Sequence, residues 1–425
     1  MSNDVSNKLK KTLSISQAVG LGITIVVGSG LLLLPGLAYQ DAGASSIYVW
    51  VICALLVIPL LVIFSALGAK YPTAGGVAGF MQNAFSRHIS SATEMMLLGT
   101  FGLGIPAIAL TGSYYVYTLI SVDVQFEVIA LVISLLMIFV AFLVNYLGAA
   151  ISGNIQKYLA ITLVLALLLI PILSLVFANE YKGEGISSIS KIEINNIFPL
   201  LGMVFFAYTG WEMLSFTIEE YKNPKRDYPV SVALSFIIVI VLYFLLVISI
   251  QLIVPIDNVL LSTAPLTALA QQVFGSMAGN LVGVLSFVII LANLIGAIWA
   301  ASRLVFSSAR DGLIPAPIAK LSVNKIPRVS LVVTCLFFSA VLVLNYFSIL
   351  KVNDLLRLAG QNFFILYGMA VLAYIKISAT KKQKIFGIIS LMIVVVTMGT
   401  FGIELLYPIG LLSFGYFMSR YKEQK

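Results

Sequence analysis

The chain is 425 residues long, 60% of them hydrophobic and only 10% charged, with a mean hydropathy of +1.06. Soluble domains carry about 25% charged residues, so this composition excludes one and describes a polytopic membrane protein. The net charge of +8 does not point to nucleic acid, because the basic residues are scattered through short loops between apolar runs.

Twelve apolar runs of membrane-crossing length follow one another, at 13–39, 45–69, 91–119, 128–147, 154–177, 197–218, 230–254, 275–303, 329–347, 354–375, 384–401 and 403–418. Lys8, Lys10 and Lys11 lead straight into the first with no cleavage site after it, so no signal peptide is expected. Tyr48, Trp50, Tyr71, Tyr114, Tyr115 and Tyr117 lie near run ends and read as interfacial anchors. The longest external loop, 178–196, is polar and without a readable motif, and only Gly402-Ile403-Glu404 separates the last two runs. The whole chain, 1–425, therefore reads as one transmembrane domain. Of its 25 Lys and Arg, 21 fall at the termini and in the even-numbered loops, against Lys182, Lys191, Lys351 and Arg357 on the other side. That asymmetry predicts that both termini are cytoplasmic. Cys53 and Cys335 sit inside apolar runs, which predicts neither a disulfide framework nor a metal site, and no cofactor is expected.

Two of the runs are interrupted. The first contains Gly28-Ser29-Gly30 with Pro35 five residues on, and the sixth contains Thr209-Gly210 followed by Glu212. A helix in lipid needs every backbone group satisfied, so such weakening must be offset. One reading is a small-residue surface for close helix packing. The other is a transporter site. The breaks lie five runs apart, an odd repeat length that inverts the second copy, and matched interruptions in two halves point to a midplane binding site. Freed N–H groups favour an anion and freed C=O groups a cation. An α-amino acid carries both. Glu212 would cost about 2.5–3.5 kcal/mol at the bilayer centre, so it should face a cavity or a partner. It reads either as a protonatable coupling or gate group or as a cap on the second half-helix. Glu94, near the start of the third run, reads as interfacial. His88 falls in a cytoplasmic loop, which leaves no histidine relay within the runs.

At these residues the chain resembles the amino acid–polyamine–organocation transporters. Four segments carry the likeness: "GITIVVGSGLLLLPG"; "YPTAGGVAGF", similar to a Pro-x-Ala-Gly-Gly loop; "FFAYTGWEMLSFTIEEYKNPKRDYP"; and "SRLVFSSARDGLIP". The third contains the family's Glu-x-x-Asn-Pro-x-Arg-x-x-Pro pattern (Glu219 or Glu220, Asn223, Pro224, Arg226, Pro229), and the fourth its Ala-Arg-Asp-Gly signature. "YPTAGGVAGFMQNAFSR" and "LGTFGLGIPAIAL" most resemble the branch of bacterial exporters of methionine and branched-chain amino acids.

The resemblance implies an all-α fold of twelve transmembrane helices, with inverted repeats over 13–177 and 197–375, helices one and six discontinuous, and two extra helices over 384–418. It implies a substrate carboxylate on backbone N–H groups around Gly28, Ser29 and Gly30, and an ammonium on carbonyls of Val26, Phe206, Ala207 and Thr209. Phe206 would also gate the site, Trp211 would line the side-chain pocket, and Ile105, Asn293 and Gln361 would set specificity. One departure stands out. Many family members carry a mid-helix lysine in span five where this chain has Leu163, while Lys157 lies two turns too early, so their explanation of sodium independence does not transfer. Coupling to a proton through Glu212, coupling to sodium, and simple exchange (antiport) all stay open. "ISVDVQFE" lacks the cysteine that links mammalian relatives to a glycoprotein, so no covalent partner is expected.

The expectation is a secondary transporter of neutral, apolar L-amino acids in a bacterial inner membrane, running in efflux by branch resemblance. Proton-coupled uptake or exchange of basic amino acids or polyamines is the alternative if Glu212 reaches the side-chain pocket. A channel would need rings of charge that the runs lack. A receptor would need a signalling segment, and the tails 1–12 and 419–425 are too short for one. No His-Glu-x-x-His motif or Ser–His pair lies within the runs, so an enzyme is not expected.

Overall fold

The structure, a computed structural model, describes residues 9–119, 125–186, 194–350, 352–398 and 405–423. Within them the chain is helical, with no strand beyond one isolated bridge. The helices are α1 (Ile15–Val26), α2 (Ser29–Ala42), α3 (Ser46–Lys70), α4 (Gly76–Ala84), α5 (Arg87–Leu119), α6 (Phe126–Tyr146), α7 (Ala149–Phe177) and α8 (Ile194–Ala207). There follow α9 (Trp211–Ser215), α10 (Pro224–Ile253), α11 (Pro265–Phe274), α12 (Ser276–Arg310), α13 (Arg328–Tyr346), α14 (Val352–Ile377), α15 (Lys381–Met398) and α16 (Leu406–Glu423). Among the described residues seven stretches are long and apolar enough to cross a membrane by length and composition. The separator at 402–404, much of the loops at 120–127 and 178–196, and the side chains of Ser29, Phe206 and Gln361 lie outside the described residues.

Local chemistry explains the helix starts. Ser14 and Gln17 form a reciprocal capping box before α1, each side chain meeting the other's backbone N–H (3.4 and 2.8 Å). Pro224 opens α10 at a position where its missing N–H costs nothing, and the Asp227 carboxylate accepts the Asn223 N–H at 3.1 Å. Outward faces are apolar rather than polar. On α7 the exposed Ile161, Leu165, Leu169, Ile172 and Val176 recur at helical spacing, as lipid contact requires.

Polar groups go inward and find partners. Trp50, Tyr208 and Tyr243 cluster at 5.2–5.8 Å between ring centres. The Tyr208 hydroxyl donates to the Trp50 carbonyl at 3.1 Å, which pins the end of α8 against α3. The two sequence motifs after the sixth and eighth runs meet in the core. Arg303 on α12 pairs with Glu220 at 2.7 Å, both fully buried, and Trp299 Nε1 donates to the same carboxylate at 2.6 Å. Arg310 pairs with Glu219 at 2.9 Å. Backbone bonds then tie the N-terminal segment to that loop: Thr12 and Leu13 N–H donate to Glu220 O (2.9 and 2.8 Å), and Lys222 N–H donates to Leu13 O (3.1 Å). His88, expected in a loop, instead opens α5, with its ring between Glu423 and Ser419 of α16. Glu94 is buried between helices (2% exposed) rather than turned to the interface.

Candidate functional site: a cavity between two helix breaks

The first break falls at Val27 and Gly28. Val27 ends α1 in an extended conformation, and α2 begins at Ser29 with no side chain capping its first N–H groups. The second break spans Tyr208 to Gly210, where Gly210 at φ +114° takes a turn that a Cβ would strain. The two breaks touch. A Cβ on Gly30 would lie 3.0 Å from the Ala207 Cα, so glycine allows α2 to rest against the end of α8. A Cβ on Gly28 would meet the Asn293 side chain at 2.7 Å.

Two side chains hold the carbonyls that the breaks release. Asn293 Nδ2 donates to the carbonyls of Thr24 (3.0 Å) and Ile25. The Tyr243 hydroxyl lies 2.7 Å from the Ala207 carbonyl and 3.3 Å from that of Val26, bridging the two interrupted helices. Carbonyl oxygens have a second lone pair, so these acceptors keep capacity for a ligand.

A cavity of about 60 Å³ opens at this junction. Ile25, Val26, Gly28 and Gly30 line it from the first break, and Ala207, Thr209, Gly210 and Met213 from the second. α5 contributes Thr100, Phe101, Gly104, Ile105 and Ile108, α12 contributes Asn293, and α14 contributes Ala359 and Phe363. Of the expected site residues, Val26, Gly28, Gly30, Ala207, Thr209, Ile105 and Asn293 therefore share one space. Trp211 does not line it. Its ring packs on Phe236 of α10 at 5.8 Å, because Gly210 and Met213 share the cavity face and the residue after Gly210 points about 100° away.

Glu212 is fully buried but is not among the cavity's lining residues. One carboxylate oxygen accepts the Gly210 N–H at 3.0 Å and the Tyr367 hydroxyl at 2.7 Å. This geometry matches the capping reading, with a tyrosine from α14 added. Leu163 is buried in the core of α7 (2% exposed). Sequence reasoning missed Tyr243 and Tyr367, which lie far along the chain from the breaks they serve. It also missed Thr100, Phe101 and Gly104, although all three lie in "LGTFGLGIPAIAL".

An all-helical membrane protein whose interrupted helices meet at a buried cavity is a transporter by class. Its sequence matches the amino acid permease family model over residues 13–419, and the chain belongs to that family, within the amino acid–polyamine–organocation transporters. It is similar to an uncharacterized amino acid permease, YecA, of Bacillus subtilis (27% identical, over 98% of this chain and 97% of that one). It is likewise similar to the L-methionine/branched-chain amino acid exporter YjeH of Escherichia coli (25% identical, over 95% of each). The branched-chain amino acid permease BcaP of B. subtilis is 20% identical over 74% of this chain and 70% of its own. It is a transporter, not an enzyme.

Proposed function

We propose that this chain is a secondary carrier of neutral, apolar L-amino acids, of the methionine, leucine, isoleucine and valine type, working by alternating access and running in efflux. The observation that carries the reading is the contact of the two breaks, Gly30 against Ala207, at a cavity whose other walls are apolar apart from Thr100 and Asn293. The substrate carboxylate rests on the N–H groups at the start of α2, around Gly28, Ser29 and Gly30. The ammonium takes the spare lone pairs of the Val26, Phe206, Ala207 and Thr209 carbonyls, beside Tyr243. The side chain extends toward Ile105, Met213 and Phe363. Asn293 shapes the site by holding the end of α1, with Phe206 as the gate and Gln361 contributing to specificity.

In this reading twelve spans cross the membrane, with 13–177 and 197–375 as inverted repeats, 384–418 outside them, and both termini in the cytoplasm of a bacterium. Efflux is supported by the name of the exporter relative, and the apolar class by that name and the branched-chain permease. Glu212 caps the second half-helix and lies outside the side-chain pocket, which favours a neutral substrate over a basic one.

Counterflow in proteoliposomes tests this. Vesicles loaded with unlabelled leucine, without sodium and at equal pH on both sides, are expected to accumulate labelled leucine and methionine but not arginine or putrescine. Accumulation of arginine or putrescine alone, in vesicles loaded with either, would overturn the neutral reading.

A further inference from the structure

Glu94 lies outside the site described above, on α5, and is 2% exposed. Its Oε2 makes no hydrogen bond of regular geometry among the described residues, and Ser308 Oγ of α12, which faces it, is buried as well. Its other oxygen, Oε1, lies 3.5 Å from Ser90 Oγ. The Ser90 hydroxyl has one hydrogen, and that hydrogen is already donated to the Ala78 carbonyl of α4 at 2.8 Å. Toward Glu94, Ser90 therefore presents a lone pair. A carboxylate oxygen facing a lone pair is repelled, whereas a carboxylic acid donates to it.

The charged groups packed around this point make their direct contacts elsewhere, and among the described residues none forms an ion pair with Glu94. From α5 itself, Arg87 donates to the Asp311 carbonyl at 2.8 Å, and His88 pairs with Glu423. From the end of α12, Arg310 pairs with Glu219, and Asp311 accepts from Ser307 at 3.2 Å. From α16, Lys422 donates to the carbonyls of Gly312 and Leu313. α4 brings no titratable side chain, and the Tyr367 hydroxyl of α14 is on Glu212.

We infer that Glu94 is a proton-binding site, neutral in this conformation, with its proton donated to Ser90 and exchanged through the polar cavity below it. That cavity, about 110 Å³, is lined by Arg87, Ser91, Asp311 and Lys422. Ser91 lies one turn from Glu94 on the same helix face, so a small opening between α5 and the turn after α12 brings water to the carboxyl. The chain Glu94–Ser90–Ala78 carbonyl joins α5 to α4. Loss of the proton turns its first link repulsive, so proton occupancy and the α4–α5 contact are linked equilibria, and a proton bound here favours this conformation.

Infrared spectroscopy of the purified full-length protein across a pH titration tests the site without reference to transport. The wild type is expected to show a protonated-carboxyl C=O band at neutral pH that Glu94→Gln removes and Glu212→Gln leaves in place. Ser90→Ala removes the acceptor of the proton, so the Glu94 band should vanish at lower pH than in the wild type. A shift to higher pH would mean that Ser90 donates to a carboxylate, and would overturn the inference. So would identical spectra for wild type and Glu94→Gln, or a band that sodium at constant pH abolishes, which would make this a metal-cation site. The conformational link rests on the carrier reading. It predicts that leucine counterflow, measured from pH 6 to 8 on the vesicle exterior, depends on pH in the wild type and not in Glu94→Gln. Equal profiles with the infrared band intact would overturn the link and leave the proton site standing. Absence of counterflow in both would count against the carrier reading instead.

Discussion

Single atoms decide whether the two breaks can meet. Gly30→Ala places a methyl 3.0 Å from a backbone Cα that cannot rotate away, so α2 and α8 must part. We expect folded protein that has lost leucine counterflow, as read by size exclusion and the vesicle assay. Gly28→Ala meets the Asn293 side chain, which can turn aside only by dropping the Thr24 and Ile25 carbonyls. Asn293→Leu drops both directly. Two buried acceptors then lose their donor, at about 1–3 kcal/mol each, and thermal unfolding in detergent should fall accordingly. Glu212→Gln is expected to keep leucine counterflow and still refuse arginine and putrescine, because the side chain faces Gly210 and Tyr367 rather than the cavity. Admission of arginine by this variant would place residue 212 in the substrate pocket.

Between elements, the decisive contact is the buried pair of Arg303 with Glu220. Removing one partner leaves the other charge uncompensated in the core, which costs about 3–5 kcal/mol. Glu220→Ala should therefore lower the unfolding temperature far more than Lys182→Ala, whose pair with Glu180 is exposed. Arg303→Lys should recover little, since the guanidinium reaches both carboxylate oxygens with separate nitrogens. Both motifs were visible in the sequence as loop signatures, but not their meeting, because 83 residues separate the partners and no local pattern reports such a contact. The same limit explains Tyr243, which bridges two carbonyls from the middle of an apolar helix where a tyrosine looks like any other aromatic. The breaks themselves were legible. Glycine at a helix centre is a local cost, and local costs are written in the sequence. The sixth apolar run, 197–218, outlasts its helix: α9 stops at Ser215, and Ile218–Glu220 tightens into a 3-10 turn.

For the whole molecule, hydropathy made the helical membrane class legible, since apolar surface must face lipid somewhere along each long run. Which residues line the cavity was only partly legible. Ile105 and Asn293 were readable as candidates, whereas Thr100, Phe101 and Met213 depend on how helices rotate against one another. Orientation rests on charge alone and is open to test. A reporter fused to the C-terminus should be active as a cytoplasmic fluorophore and inactive as a periplasmic phosphatase, with the reverse pattern for a fusion in the 178–196 loop. The fastening of the N-terminal segment to the loop after the second break adds a different consequence. Its three hydrogen bonds run from backbone to backbone, so they place no demand on side-chain identity at Thr12. Nineteen of the twenty amino acids can make that bond, and what limits the choice among them is the enclosed space around the buried Thr12 hydroxyl. Proline alone has no hydrogen to give, so in a saturation library at position 12 it should be lost even though other residues of threonine's size are kept.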